Sequence, residues 1–346
     1  MTEPEAVANG IEVPRGRGEE ARRWLKERGL LAEDLRPRVT GSSLLLPLRT
    51  GERVVGSPFP SAPVRAEFAP LPRPGPRTYQ DLVTLPQELK GLLPRSFDVI
   101  GDIVVIRLPP ALDGVAAELG AALLSFVPGC RLVAQDRGVH GSFRTRELSP
   151  IAGHGDWKTT HQENGLRFRV DPSRVYFSPR LAREHGQVAT LSMDGEYVLD
   201  LFCGLGPFCL TILKRRPRTT AHAVDNNPDA IALLEENARM LGVERRVLPI
   251  LEDADSFLQR SGSYDRVIAN LPHEGYTYAS PVANVVRAGG HLHIYEVAPR
   301  TGVSRVQAVM ERLSRPQGNW NLLDRHVVHG YSASEDLIAL HFQRGR

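Results

Sequence analysis

The sequence predicts an α/β protein: a doubly wound parallel sheet, preceded by two small α+β domains. Three observations carry this. From residue 197 onward, short apolar runs alternate with helical stretches in the rhythm of βαβ units. The first of those runs, "VLDLFCGLGPF", ends in an aspartate and turns through two glycines into a helix. Upstream, a proline-rich stretch at 57–77 reads as an extended linker and divides the N-terminal region from the rest of the chain. With 346 residues the chain exceeds what one core usually supports. The boundaries fall at 1–75, 76–165 and 166–346.

Residues 15–30, "RGRGEEARRWLKERGL", predict one amphipathic helix with Ala21, Trp24, Leu25 and Leu30 on its apolar side. "SLLLPLRTGERVV" then reads as a hairpin. In the second domain, "FDVIGDIVVIRLP" predicts two short strands around Gly101, and "LDGVAAELGAALLSFV" a helix. "GSFRTREL" and "GLRFRVDPSRVYFS" read as strands leading into the third domain. There, strands are expected at 197–202, 220–225, 247–251, 264–269 and 290–296. The helices between them fall around 207–216, 227–242, 253–261 and 278–287.

Composition sets bounds on function. The net charge of +3, from 43 basic and 40 acidic side chains, neither demands nor excludes a nucleic-acid partner, because binding depends on where the charge lies. Cys130, Cys203 and Cys209 are odd in number and match no metal spacing, so free thiols in a reducing, cytoplasmic compartment are expected. No signal peptide and no membrane-length apolar run is visible. His291 and His293 share a strand face without a third ligand, so no metal site is expected.

The strand ends carry the chemistry. Glycines at 204 and 206 let a ligand lie against backbone, and the helix after them offers free N–H donors; a tight turn alone would use the same glycines. Asp225 ends the next strand 19 residues after Gly206, where an acid meets ribose hydroxyls in such folds, although Asn227 and Pro228 also make it part of an ordinary helix start. Asp253 and Ala254 come after the third strand, where a carboxylate accepts from an adenine amino group or simply sits in a surface turn. The fourth strand ends in "IANLPHEG", where Pro272 cannot continue a ladder and Asn270 supplies an amide. Pro207 and Phe208 stand where a dinucleotide dehydrogenase would continue its glycine pattern.

These residues resemble the class I methyltransferases that use S-adenosylmethionine. Together with "FRVDPSRVYFSPRLAREH", "FRTRE" and "RSFDVIGDIVVIRLP", they resemble more closely the archaeal and eukaryotic tRNA (guanosine-37-N1)-methyltransferase family, over about residues 85–300. The first 75 residues resemble, more weakly, the archaeal N-terminal domain that helps dock tRNA outside the anticodon. The resemblance implies S-adenosylmethionine as cofactor and tRNA, through its anticodon loop and body, as partner of a monomer with no membrane association. It implies a cofactor site of Tyr176, Phe177, Arg180, Asp200, Phe202 and Gly204, continued by Gly206, Asp225, Asn226, Asp253, Ala254 and Asn270. The departures are His185, where relatives often carry Arg, and Cys203, where Ala is frequent. The wybutosine aminocarboxypropyltransferases share the scaffold. Ser178-Pro179-Arg180 and Asn270-Leu271-Pro272 favour methyl transfer over that alternative, and methylation of a tricyclic wyosine precursor is a further one.

Guanine N1 carries a proton at neutral pH, so methylation there needs a base, and negative charge builds on O6. Glu184 is the candidate base, or else a partner of Arg180 or Arg183 at helix spacing. Arg144 or Arg146 is the candidate O6 donor, on the resemblance to the family's essential arginine in this stretch. Arg137, His140 and Arg144 also read as a phosphate-binding set. Tyr176 and Phe177 are suited to enclosing an extruded base, or to core packing. Asn270 would orient guanine, with Pro272 fixing its loop.

Overall fold

The computed structural model describes residues 6–49, 54–59, 63–71, 75–141, 143, 145–260, 262–300, 303–314, 319–332 and 334–346. Arg144, one of the two arginines considered for O6, lies outside them. The chain forms two compact units, Met1–Asp81 and Leu82–Arg346.

In the first unit β1 (Ala6–Pro14) leads through a 3₁₀ turn into α1 (Gly18–Glu27), and β2 (Arg38–Thr40), β3 (Ser43–Pro47) and β4 (Val64–Phe68) complete an antiparallel sheet in the order β2-β3-β1-β4. Ala21 and Leu25 are fully buried on the sheet with Ile11, Val13 and Leu46. Three expectations are corrected here. The helix stops at Glu27, because Gly29 takes φ +68° and Leu30 N–H donates to the Leu25 carbonyl. "SLLLP" pairs with β1 and β2 rather than closing a hairpin with the residues after it. The proline-rich stretch is not a simple linker: Val64–Phe68 is free of proline and pairs with β1 along its length.

The second unit opens with the short α2 (Gln87–Lys90), then β5 (Asp98–Ile100) and β6 (Ile103–Ile106), hairpinned through Gly101 at φ +60°. The helix α3 (Ala116–Phe126) packs on a sheet that β7 (Leu132–His140) and β8 (Thr145–Gly153) complete in the order β5-β6-β7-β8. A hairpin of β9 (Thr159–Glu163) and β10 (Leu166–Val170) comes next, then α4 (Ala182–Leu191).

The alternating region is β11 (Tyr197–Asp200), α5 (Pro207–Arg215), β12 (Thr220–Asp225), α6 (Pro228–Leu241), β13 (Val247–Leu251), α7 (Ala254–Leu258), β14 (Tyr264–Asn270), α8 (Gly275–Val285) and β15 (Val286–Pro299). After α9 (Val303–Ser314), β16 (Trp320–Gly330) and β17 (Glu335–Arg344) return as an antiparallel pair that periodicity had not predicted. The seven-stranded order is β13-β12-β11-β14-β15-β17-β16. The first five strands are parallel, and β17 inserts antiparallel beside β15. Order reverses at β11, with β12 on one side and β14 on the other, so a crevice opens at the carboxyl ends of those strands.

Candidate active site

A cleft of about 760 Å³ occupies that crevice, and its walls come from four strand ends and the segment before α4. Its floor is the β11–α5 turn, with Gly204 at φ +53° and Gly206 at φ +91°. A Cβ on Gly206 would come within 2.3 Å of Leu234, so only glycine fits there; one on Gly204 would meet nothing closer than the Tyr176 carbonyl, at 3.9 Å. Gly204 therefore leaves backbone open to the cleft, and Gly206 lets the turn pack on α6.

Asp225 joins two of the strand ends. Its carboxylate accepts from Gly204 N–H at 2.8 Å and from Asn227 N–H at 2.9 Å. Burial pushes its pKa upward against those bonds. Asn226 beside it is exposed to the cleft, and Asn227 caps α6. Asp253 is exposed, accepts from Asp255 N–H at 2.9 Å and lines the cleft with Ala254. Phe202 lines it too, edge-on to Tyr278 with centroids 5.0 Å apart.

Asn270 closes the far side. Its Oδ1 is buried and has no hydrogen-bond partner among the described residues. The loop that holds it is tied back to the sheet: Val297 N–H donates to the Pro272 carbonyl at 2.5 Å, and Glu274 N–H to the Leu271 carbonyl at 3.1 Å. Pro272 thus fixes a cleft-lining acceptor that waits for a donor. Tyr176, 40% exposed, and the buried Phe177 line the same cleft.

Other predicted residues stand back from the cleft. Asp200 is fully buried behind the glycine turn; its Oδ2 accepts from Cys209 N–H at 3.2 Å, and burial pushes its pKa up to about 7. Arg180 donates to Asp98 at 2.7 Å. Arg146 is held by Asp98 at 3.1 Å, Asp136 at 3.3 Å and the Phe177 carbonyl at 3.3 Å, with its guanidinium 5.3 Å from the Tyr176 ring centre. Its Nη1 and Nη2 are held by the protein, whereas its buried Nε has no partner among the described residues. Glu184 is buried and does not line the cleft; it pairs neither with Arg180 nor with Arg183 but accepts from Tyr295 Oη at 3.3 Å and lies 3.0 Å from His326 Nε2. Of the basic set, Arg137 lies 3.7 Å from Asp113 and His140 3.1 Å from Glu147.

The structure also adds residues. His185 lines the cleft with its Nδ1 2.6 Å from Glu163 and its Nε2 unpartnered among the described residues. Phe143, His329 and Tyr331 stand at the same cleft. The short apolar run Leu337-Ile338-Ala339-Leu340 was the available signal for the last strand.

The fold and this site define a class I methyltransferase whose cofactor is S-adenosylmethionine. Three family models match the chain: the TRM5/TYW2 methyltransferase domain over residues 159–323, the TYW2 N-terminal domain over 81–156 and the tRNA methyltransferase 5 N-terminal domain over 10–54. The tRNA (guanine(37)-N(1))-methyltransferase Trm5b of Pyrococcus abyssi is 34% identical across 96% of this chain and 98% of its own. The crystal structure of Pyrococcus abyssi Trm5b superimposes with a TM-score of 0.80, covering 98% of this chain and all of that one. A structure of aTrm5 with tRNALeu, 27% identical, does so at 0.75, covering 97% and 99%. This chain belongs to the TRM5/TYW2 family, on the branch of the tRNA (guanine-37-N1)-methyltransferases.

Proposed function

We propose that this protein methylates N1 of guanosine 37 in tRNA on a base drawn out of the anticodon loop into the cleft. The observation that carries the reading is Asn270 Oδ1: a buried acceptor at the end of β14, without a partner among the described residues, on a loop tied back through the Pro272 carbonyl and lining the same cleft as Tyr176 and Phe177. A purine offering N–H donors satisfies it.

S-adenosylmethionine, held by Gly204, Asp225, Asn226, Asp253 and Ala254, supplies an electrophilic methyl group. Tyr176 and Phe177 enclose the base, and Asn270 orients it by accepting from its edge. Arg144 or Arg146 donates to O6; the Nη groups of Arg146 already serve Asp98, Asp136 and the Phe177 carbonyl, which leaves Arg144 as the choice we favour. Glu184 takes the N1 proton. In the free protein it is paired with Tyr295 and His326, so this role requires the first turn of α4 to present it to the cleft when RNA binds. In the division of labour we favour, residues 1–75 dock the tRNA body, 76–165 hold the anticodon stem and loop, and 166–346 carry out the transfer. The protein acts as a cytoplasmic monomer.

Mass spectrometry of nucleosides from an unmodified tRNA transcript, incubated with the protein and S-adenosylmethionine, tests the reading. A gain of one methyl on the purine 3′ of the anticodon is expected. A larger, aminocarboxypropyl gain or no gain would overturn it.

A further inference from the structure

A base must be ionised before it can take a proton, and burial in a protein favours the neutral carboxyl. Glu184 is buried to 3% side-chain exposure, so as a base it needs a cationic partner beside it. The strand β16 supplies a candidate. His326 Nε2 lies 3.0 Å from Glu184 Oε1, and its Nδ1 lies 2.8 Å from Asp324 Oδ2, two residues earlier on the same strand. Exposure rises along this row, from Glu184 to 30% at His326 and 48% at Asp324.

We propose that His326, kept protonated by Asp324, is the positioning residue that holds Glu184 as a carboxylate and so makes it competent to accept the guanine N1 proton. This rests on the reading of Glu184 as the base. As the N1–H bond breaks, the N1–methyl bond forms and the methyl–sulfur bond breaks. The proton goes to Glu184 Oε2, whose 3.3 Å bond from Tyr295 is the longer of its two contacts, while Oε1 stays with His326.

The surroundings leave this task to His326. The groups packed around the pair are Gln187 from α4, His293 and Tyr295 from β15, His341 from β17 and Asp324 itself. Burial and the nearby Arg266 push His293 well below the ordinary histidine value, and burial with His291 pushes His341 down to about 4, so both rings are uncharged near neutrality. Burial pushes Tyr295 upward, so it remains a neutral donor. His326 differs: burial draws its pKa down, but its hydrogen bonds to Glu184 and Asp324 outweigh that and raise it. Of these neighbours it alone is pushed towards the protonated form beside Glu184.

The test is single-turnover methylation of a tRNA transcript bearing G37, with protein and S-adenosylmethionine saturating, measured across pH for the wild type and for H326Q, H326A, H326K and E184Q. Expected is a displacement of the acid limb to higher pH in H326Q and H326A, with a loss of at least about ten-fold at neutral pH that is regained on the alkaline side. H326K, which restores a cation, should return towards the wild-type profile, and cofactor affinity should be unchanged in all three. A wild-type profile in H326Q, or a loss of the same factor at every pH, would overturn the proposal; the second outcome marks a merely structural contact. If E184Q is slow while H326Q is normal, this inference alone fails. If E184Q is itself normal, the assignment of the base fails with it.

Discussion

The two sides of the cleft are built differently. On the cofactor side, the acceptors at Asp225 and Asp253 are fixed by backbone N–H groups of their own or neighbouring turns and still present oxygens to the cleft. On the substrate side the charged groups satisfy one another: Arg146 and Arg180 with Asp98, Glu184 with His326, His185 with Glu163. The first side is complete in the free protein. The second holds its charged groups in mutual pairs; on the proposed mechanism an RNA partner rearranges the others around a Glu184–His326 pair that stays intact, and this is where binding energy from remote parts of a large substrate can be spent on chemistry.

The comparison breaks most visibly at Glu184. Glu184→Gln keeps the shape but cannot take a proton, so single-turnover methylation should slow by about 10²–10⁴-fold while cofactor affinity holds. A normal rate and pH dependence would remove Glu184 from the mechanism. Next in size is Arg146→Ala, which takes from the buried Asp98 one of its two cationic partners, Arg180 remaining, and leaves the half-buried Asp136 with the Gly138 N–H. It should destabilise the fold by about 1–3 kcal/mol in urea denaturation. A full loss of rate with unchanged stability would instead make Arg146, not Arg144, the O6 donor. On the cofactor side, Asp225→Ala should weaken S-adenosylmethionine binding by roughly 1.5–3 kcal/mol in calorimetry. Unchanged affinity would displace Asp225 from the ribose.

A further effect, read as a slope against pH, concerns Asp200. Its folded value, pushed up to about 7 from 3.8 by burial, means that the native state keeps a proton the unfolded chain has released. Its stabilising contribution is full below the ordinary carboxyl value and is lost as pH rises to about 7. Asp200→Asn should therefore flatten the decline in the denaturation midpoint across that window. An equal slope in both proteins would count against a buried, protonated Asp200.

The same asymmetry decided what the sequence could reveal. Gly204, Gly206, Asp225 and Asp253 were legible because their geometry is local: a turn, a cap and a fixed spacing between strand ends. Asn270 was legible for the same reason, as an amide stopped by a proline. The partners of Glu184 and Arg146 were not, since His326 lies 142 residues away in sequence and Asp98 lies 48 away. Charge at helix spacing suggested Arg180 and Arg183 instead. In the first unit, prolines around a short strand concealed β4, and helical periodicity carried the reading of α1 past the glycine that ends it. Local rules cannot show which distant carboxylate claims an arginine first.

That the cofactor half is complete without RNA, and the substrate half is not, can be tested by one calorimetric comparison: S-adenosylmethionine titrated into the free protein, and into the protein saturated with tRNA bearing an N1-methylated G37. The account predicts the same dissociation constant in both, because Gly204, Asp225 and Asp253 are already in place. Cofactor binding that is undetectable until tRNA is present would contradict it.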